Sequence, residues 1–265
     1  MRRRRSTPHS SRRVRLMFAS ATDNQTLSML WHRNYDFYGN PRPAFDPSYD
    51  YESARRQIAF LRELAGRNTT WMQIVETPAQ ARTVMNAGKL AVVLSVELDT
   101  LTVAQITQLR VLGVRHVIPV HFADNGFGGP ALYATSATGP EDENIFNTAN
   151  RFLTGRFYSV VGDTNLSYRL GRPKVLHAHT NDFIKGGAVE PIAISDGEYA
   201  ALAYAGVRGG HRNARRAQLG PIRQLMRLGL MLDVAHMSQA TKGRALEGLL
   251  CDALHVRAER THLCA

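Results

Sequence analysis

The chain has 265 residues, 44% of them hydrophobic, with 33 Lys and Arg set against 22 Asp and Glu. That length and apolar content suit a soluble protein with a sizeable core, and no run approaches the ~18 apolar residues of a membrane helix. Two cysteines, Cys251 and Cys264, form neither a disulfide framework nor a zinc-finger spacing.

The net charge of +11 is concentrated at the start, where seven arginines precede the first acid, Asp23; without them the surplus is +4. Residues 1–15, "MRRRRSTPHSSRRVR", read as a solvated arm that could meet nucleic acid or anionic lipid without sequence preference. The "LMFASA" that follows is too short for a signal-peptide core, and a cytoplasmic location is the default expectation.

"VRLMFAS" is a candidate strand, and "DYESARRQIAFLREL" a helix with Ile58, Leu61 and Leu64 inward. In "TPAQARTVMNAGKLAVVLSVELD", Thr77 and Gln80 make a capping box, Pro78 suits the first helical position, and Gly88 ends the helix. The apolar "LAVVLSV" then reads as a strand covered on both faces, with Glu97 at its end. "TVAQITQLRVLGVRHVIPVHF" repeats the plan: Thr102 and Gln105 cap, Ile106, Leu109 and Leu112 face inward, Gly113 closes, and His121 follows the strand. A long glycine- and asparagine-rich insertion, 122–173, has one expected helix near 144–153 and reads as a lid or substrate wall. "RPKVLHAH" is a further candidate strand, and "SDGEYAALAYAG" a helix. "LGPIRQLMRLGLMLDVAH" is the third unit, with Ile222, Leu225 and Met226 inward, Gly229 closing and His236 after the strand. Ser238 then caps a helix whose apolar positions include Ala245, Leu246 and Leu249.

Alternation of this kind predicts an α/β fold with a mostly parallel sheet. Glu97, His121 and His236 all fall where a strand hands over to a loop, the end at which parallel barrels build active sites. Taken alone, each has a bland explanation in core hydrogen bonding or solvation. A carboxylate directly after "LAVVLSV", however, is costly to bury without a cation or water. His177 and His179, in "HAH", have an i, i+2 spacing that puts both on one face of a strand. His211, in "GGHRNAR", lies in a loop suited to an anionic or carboxylate ligand. No nucleophile elbow, P-loop or dinucleotide fingerprint is present.

"TPAQARTVMNAGKLAVVLSVELDTL", "LRVLGVRHVIPVHFADNGFGG" and "LMRLGLMLDVAHMSQAT" together resemble the membrane (renal) dipeptidase family of zinc peptidases, peptidase family M19, in its bacterial branch with enlarged loops. The resemblance spans roughly residues 50–250. It implies a (β/α)8 TIM-barrel fold with two zinc ions at the carboxyl ends of the strands, and hydrolysis of dipeptides or related small amides. On that basis Glu97 bridges the metals, His236 ligates one, and His121 contacts the substrate or tetrahedral intermediate. His211 and Asn125 become substrate-binding candidates, and His177 and His179 further metal candidates.

The family's H-x-D pair is missing from "RLMFASATDN", and its late "SDFDG"-like segment has no counterpart. The expected domain is therefore a partial barrel over 16–250 with an incomplete metal site, followed by an atypical tail at 251–265, as if the chain were truncated at both ends. A homodimer is compatible with this expectation. The alternative is a non-catalytic remnant that binds through its pocket.

Overall fold

The computed structural model describes residues 14–27, 45–132, 143–163, 172–173 and 210–255. In chain order the elements are β1 (Leu16–Thr22), α1 (Tyr49–Arg67), β2 (Met72–Ile74), α2 (Pro78–Asn86), β3 (Leu90–Glu97), α3 (Val103–Val111) and β4 (Val114–Ile118). They continue with β5 (Glu143–Asn144), α4 (Ile145–Thr154), β6 (Val160–Asp163), β7 (Arg172–Pro173), β8 (Gly210–Asn213), α5 (Leu219–Arg227), β9 (Met231–Leu232) and α6 (Gln239–His255).

The local signals act as their chemistry requires. Thr77 and Thr102 each accept from the N3 backbone, while Gln80 and Gln105 reach back to the cap, so both capping boxes are complete. Gly88, Gly113 and Gly229 end α2, α3 and α5 at φ of 79°, 93° and 66°, a left-handed backbone that costs glycine little. Each helix therefore stops sharply and sends the chain straight into the next strand. Ser238 Oγ accepts from Thr241 N at 3.1 Å and so caps α6. α4 lies where the expected helix near 144–153 was placed.

The strands β1, β3, β4 and β9 pair side by side in that order, all in parallel, and β2 pairs with the start of β3. Among the described residues this sheet is open rather than closed into a barrel. Two small ribbons stand apart, β5 with β7 in parallel and β6 with β8 antiparallel.

Leu94, Val96, Val114 and Val117 turn one face of the sheet toward Ile58, Ile106, Leu109, Ile222 and Leu225 on the covering helices, forming the main core. Burying each of those aliphatic side chains contributes about 1.5–3 kcal/mol. One inward assignment is corrected, since Met226 is 36% exposed; Leu246, an apolar position of α6, is 44% exposed. On α5, Ile222 and Leu225 alone fill the inward stripe; on α6, Ala245 and the partly buried Leu249 do so. α6 runs unbroken to His255, across the boundary expected at residue 250. No helix among the described residues is long and apolar enough to cross a membrane.

Candidate metal centre

β3 alternates, with Leu94 and Val96 in the core and Glu97 on the other face at the strand's carboxyl end. The Thr22 hydroxyl at the end of β1 donates to the Glu97 carbonyl at 2.8 Å, which pins the end of β3 to its neighbour.

His121 lies three residues beyond β4. Its position is set by Asp99, a residue whose role is not readable from the strand pattern. Asp99 Oδ1 accepts His121 N at 2.9 Å and Ala123 N at 3.1 Å, and both of its carboxylate oxygens lie 3.1 Å from Phe122 N. The side chain is 1% exposed, and burial pushes its pKa up against the opposing pull of His121 and these three N–H groups. The only cue in the sequence is a second acid at i+2 from Glu97, in "VELD".

His236 occupies a tight turn after β9, closed by Met237 N donating to the Val234 carbonyl at 3.3 Å. Its φ is +61°, the one left-handed non-glycine residue among those described. Such a conformation costs of order 1–3 kcal/mol and persists only where its surroundings impose it. Here they do so through the start of the long insertion. Ala131 N donates to the His236 carbonyl at 2.6 Å, and Ser238 N to the Gly129 carbonyl at 2.9 Å.

That clamp accounts for Gly128 and Gly129 of "NGFGG". A Cβ on Gly128 would lie 2.2 Å from the Thr241 methyl group, and one on Gly129 2.6 Å from both Asp124 Oδ1 and Asn213 Nδ2. Asn125 supports the same loop. Its amide donates to the carbonyls of Asp99 (3.0 Å) and Pro119 (2.6 Å) and accepts from Phe127 N (2.8 Å) and Gly128 N (3.3 Å). The hydrogen-bonding groups of Asn125, expected at the substrate, are thus engaged within the loop.

These elements bring Glu97, His121 and His236 together. His236 Nε2 lies 3.1 Å and His121 Nε2 4.0 Å from Glu97 Oε1, and the two rings meet at 4.8 Å and 62°. One donor atom from each of the three falls within 4.8 Å of the others, the one such group of three among the described residues. Zinc bonds of ~2.0–2.2 Å place neighbouring tetrahedral donors ~3.3–3.5 Å apart. The Glu97–His236 and Glu97–His121 separations bracket that spacing, and His121 has to draw toward His236 as well as toward Glu97, since the three donors lie within 4.8 Å of one another. His121 Nδ1 is buried with no hydrogen-bond partner, and lies 4.0 Å from Asp99 Oδ2. The residues fit a single divalent ion.

The remaining candidates are placed less fully. His211 lies in β8, opposite Gly162 of β6, and its side chain is outside the described residues. His177 and His179 also lie outside them.

No protein-family model matches the chain. The structure is similar to the probable dipeptidase PvdM from Pseudomonas aeruginosa, at 17% identity and a TM-score of 0.36 over 76% of this chain and 35% of that one. The chain thus spans about a third of that protein's length. It is also similar to dipeptidase AC, a metallopeptidase of family M19 (16% identity, TM-score 0.33, 94% of this chain and 80% of that one). A third likeness is to a metallopeptidase from Rhodobacter sphaeroides liganded with a phosphinate mimic of the dipeptide L-Ala-D-Ala (16% identity, TM-score 0.34, 93% and 81%). The chain is an α/β protein with a parallel sheet, and it gathers a Glu–His–His group at the carboxyl end of that sheet.

Proposed function

We propose that this chain is a divergent, metal-dependent hydrolase of the M19 dipeptidase type, built on part of a (β/α) barrel and acting on dipeptides or related small amides. The observation that carries the reading is the meeting of Glu97, His121 and His236, three donors from three separate strand-to-loop junctions. The motifs around these residues, "LAVVLSVELDTL", "PVHFADNGFGG" and "LMLDVAHMSQAT", are those in which the M19 resemblance resides.

In this reading Glu97 and His236 hold a zinc ion, and His121 Nε2 joins them as a third donor, in place of the substrate contact that the resemblance implies. Three protein donors with a position left open is the pattern of catalytic rather than structural zinc. A zinc ion held there would lower the pKa of a bound water and polarise the scissile carbonyl. The protein's own share of the work is positional. Asp99 fixes the backbone of 121–123, and its Oδ2 lies 4.0 Å from His121 Nδ1, on the side where a carboxylate partner orients a metal-bound histidine. The "NGFGG" loop holds His236 in its turn.

Metal analysis of the purified chain and a dipeptide-hydrolysis assay with added zinc test the reading. It requires about one tightly bound zinc per chain, lost in Glu97→Gln and in His236→Ala together with any turnover. Zinc bound at these residues without turnover would favour the non-catalytic binding module. A chain that binds no zinc, or binds it equally well as Glu97→Gln, ends the metal reading.

A further inference from the structure

One layer beneath Glu97, on the same face of the sheet, a polar chain crosses three adjacent strands. His116 of β4 stands in register with Ser95 of β3. Ser95 Oγ lies 2.7 Å from His116 Nδ1, and His116 Nε2 lies 3.3 Å from Asp233 Oδ2 at the end of β9. One neutral tautomer satisfies both contacts, with the serine hydroxyl donating to Nδ1 and Nε2–H donating to the carboxylate. Phe18 of β1 packs against the imidazole, with ring centroids 4.9 Å apart.

The three residue types are those of a hydrolytic triad, but the surroundings do not suit acyl transfer. Ser95 is 1% exposed, in a strand paired with β1 on one edge and β4 on the other. Its backbone N–H groups serve the ladders, which leaves no pair of donors aimed at an oxyanion. A polar chain of this kind, running from a buried serine through a partly buried histidine to an aspartate one-third exposed, in a sheet that otherwise packs by apolar contacts, needs a different explanation.

The ends of the chain supply it. Ser95 is two residues before Glu97 on the same strand face. Asp233 is three residues before His236, and its second oxygen, Oδ1, accepts Ala235 N at 2.7 Å inside the His236 turn. The carboxylate therefore joins the turn to His116, and His116 joins it to the strand that bears Glu97. β9 contributes two residues to the ladder, Met231 and Leu232, and Asp233 N adds one bond to the Val117 carbonyl at 2.9 Å, so the backbone pairing at this end is short and stops before the His236 turn.

We infer that Ser95, His116 and Asp233 form a strut that sets the separation of Glu97 and His236, and are positioning residues of the candidate metal centre. The inference rests on the metal reading above. The strut holds the His236 turn in its left-handed conformation before any ion arrives, so that little ordering remains to be done on binding.

The test is a zinc titration of the full chain against a chromophoric chelator, comparing the wild type with Ser95→Ala, His116→Phe and the double variant. Substitution of groups that support metal ligands typically weakens metal affinity by about 10–100-fold. Each single variant should lose affinity in that range, and the double variant should lose no more than His116→Phe alone, because the strut acts as one unit. The visible spectrum of the cobalt-loaded protein should change in band position or intensity, a signature that a loss of stability alone does not move. Ile58→Val, a core change remote from the strut, should lower the melting temperature and leave affinity and spectrum alone. Unchanged zinc affinity and cobalt spectrum in His116→Phe and Ser95→Ala, with a wild type that binds, would overturn the inference. A wild type that binds no zinc would instead sink the metal reading beneath it.

Discussion

His236 Nε2 lies 3.1 Å from Glu97 Oε1, and the backbone that delivers it there stands at φ +61°. A left-handed non-glycine residue at a candidate ligand is a place where stability has been given up for geometry. Replacement by glycine should therefore leave the metal-free protein as stable as before, or up to about 1 kcal/mol more stable. Replacement by valine, β-branched and poorly tolerated at positive φ, should cost about 1–3 kcal/mol. Denaturant unfolding of the two variants measures the order. Valine matching glycine would show that the turn is not left-handed in solution.

Asp99 is the counterpart of that strain on the His121 side. Asp99→Ala strands three buried N–H groups and should cost about 3 kcal/mol or more, since each unsatisfied donor costs roughly 1–3 kcal/mol. Asp99→Asn retains the oxygen nearest those donors and should cost distinctly less. Equal losses in the two variants, read from urea midpoints, would argue that the carboxylate's hydrogen bonds do not hold the loop.

Gly129 of the loop and Gly243 of α6 differ in what an added methyl group would meet. Gly129→Ala places its methyl group against Asp124, Asn213 and the Arg215 side chain, and should destabilise by about 1–3 kcal/mol through overpacking. Gly243, inside α6, has nothing within 4 Å of an added Cβ, so Gly243→Ala should stabilise by about 0.5–1 kcal/mol. Thermal melts of the two variants should shift in opposite directions.

Asp50 is 6% exposed, and burial pushes its pKa up from the ordinary carboxylate value of 3.8 to about 7, helped by Asp23 and Asp99 and opposed by the hydrogen bond from Gln25 N. Between those two values the folded state holds a proton that the unfolded state has released, so this group's contribution to stability falls as pH rises from about 4 to about 7. Above that window the loss is constant. Asp50→Asn keeps an acceptor for Gln25 N and removes the charge, so it should raise the melting temperature at pH 8 and change it little at pH 4. An equal shift at both pH values would mean that Asp50 titrates normally in the folded chain.

Much of the scaffold was legible in the sequence because its signals are local. Thr77, Gln80, Thr102 and Gln105 cap their own helices, Gly88, Gly113 and Gly229 end them, and the β-branched run before Glu97 makes a strand covered on both faces. These are decided within a few residues of chain, and the choice of Glu97, His121 and His236 as candidate site residues follows from their place at the ends of such strands. What the local signals do not contain is any distance between residues far apart in the chain. That Asp99 would carry the backbone of 121–123, that "NGFGG" would close over the His236 turn, and that His116 would bridge Ser95 to Asp233 depend on parallel strands brought together across as many as 117 residues, as between His116 and Asp233. Met226 and Leu246 show the same division, since helical periodicity marks an apolar residue but the neighbouring element decides whether it is covered. Local chemistry selected the elements; packing of the sheet decided which side chains share a site, because burial and hydrogen bonding act through space and not along the chain.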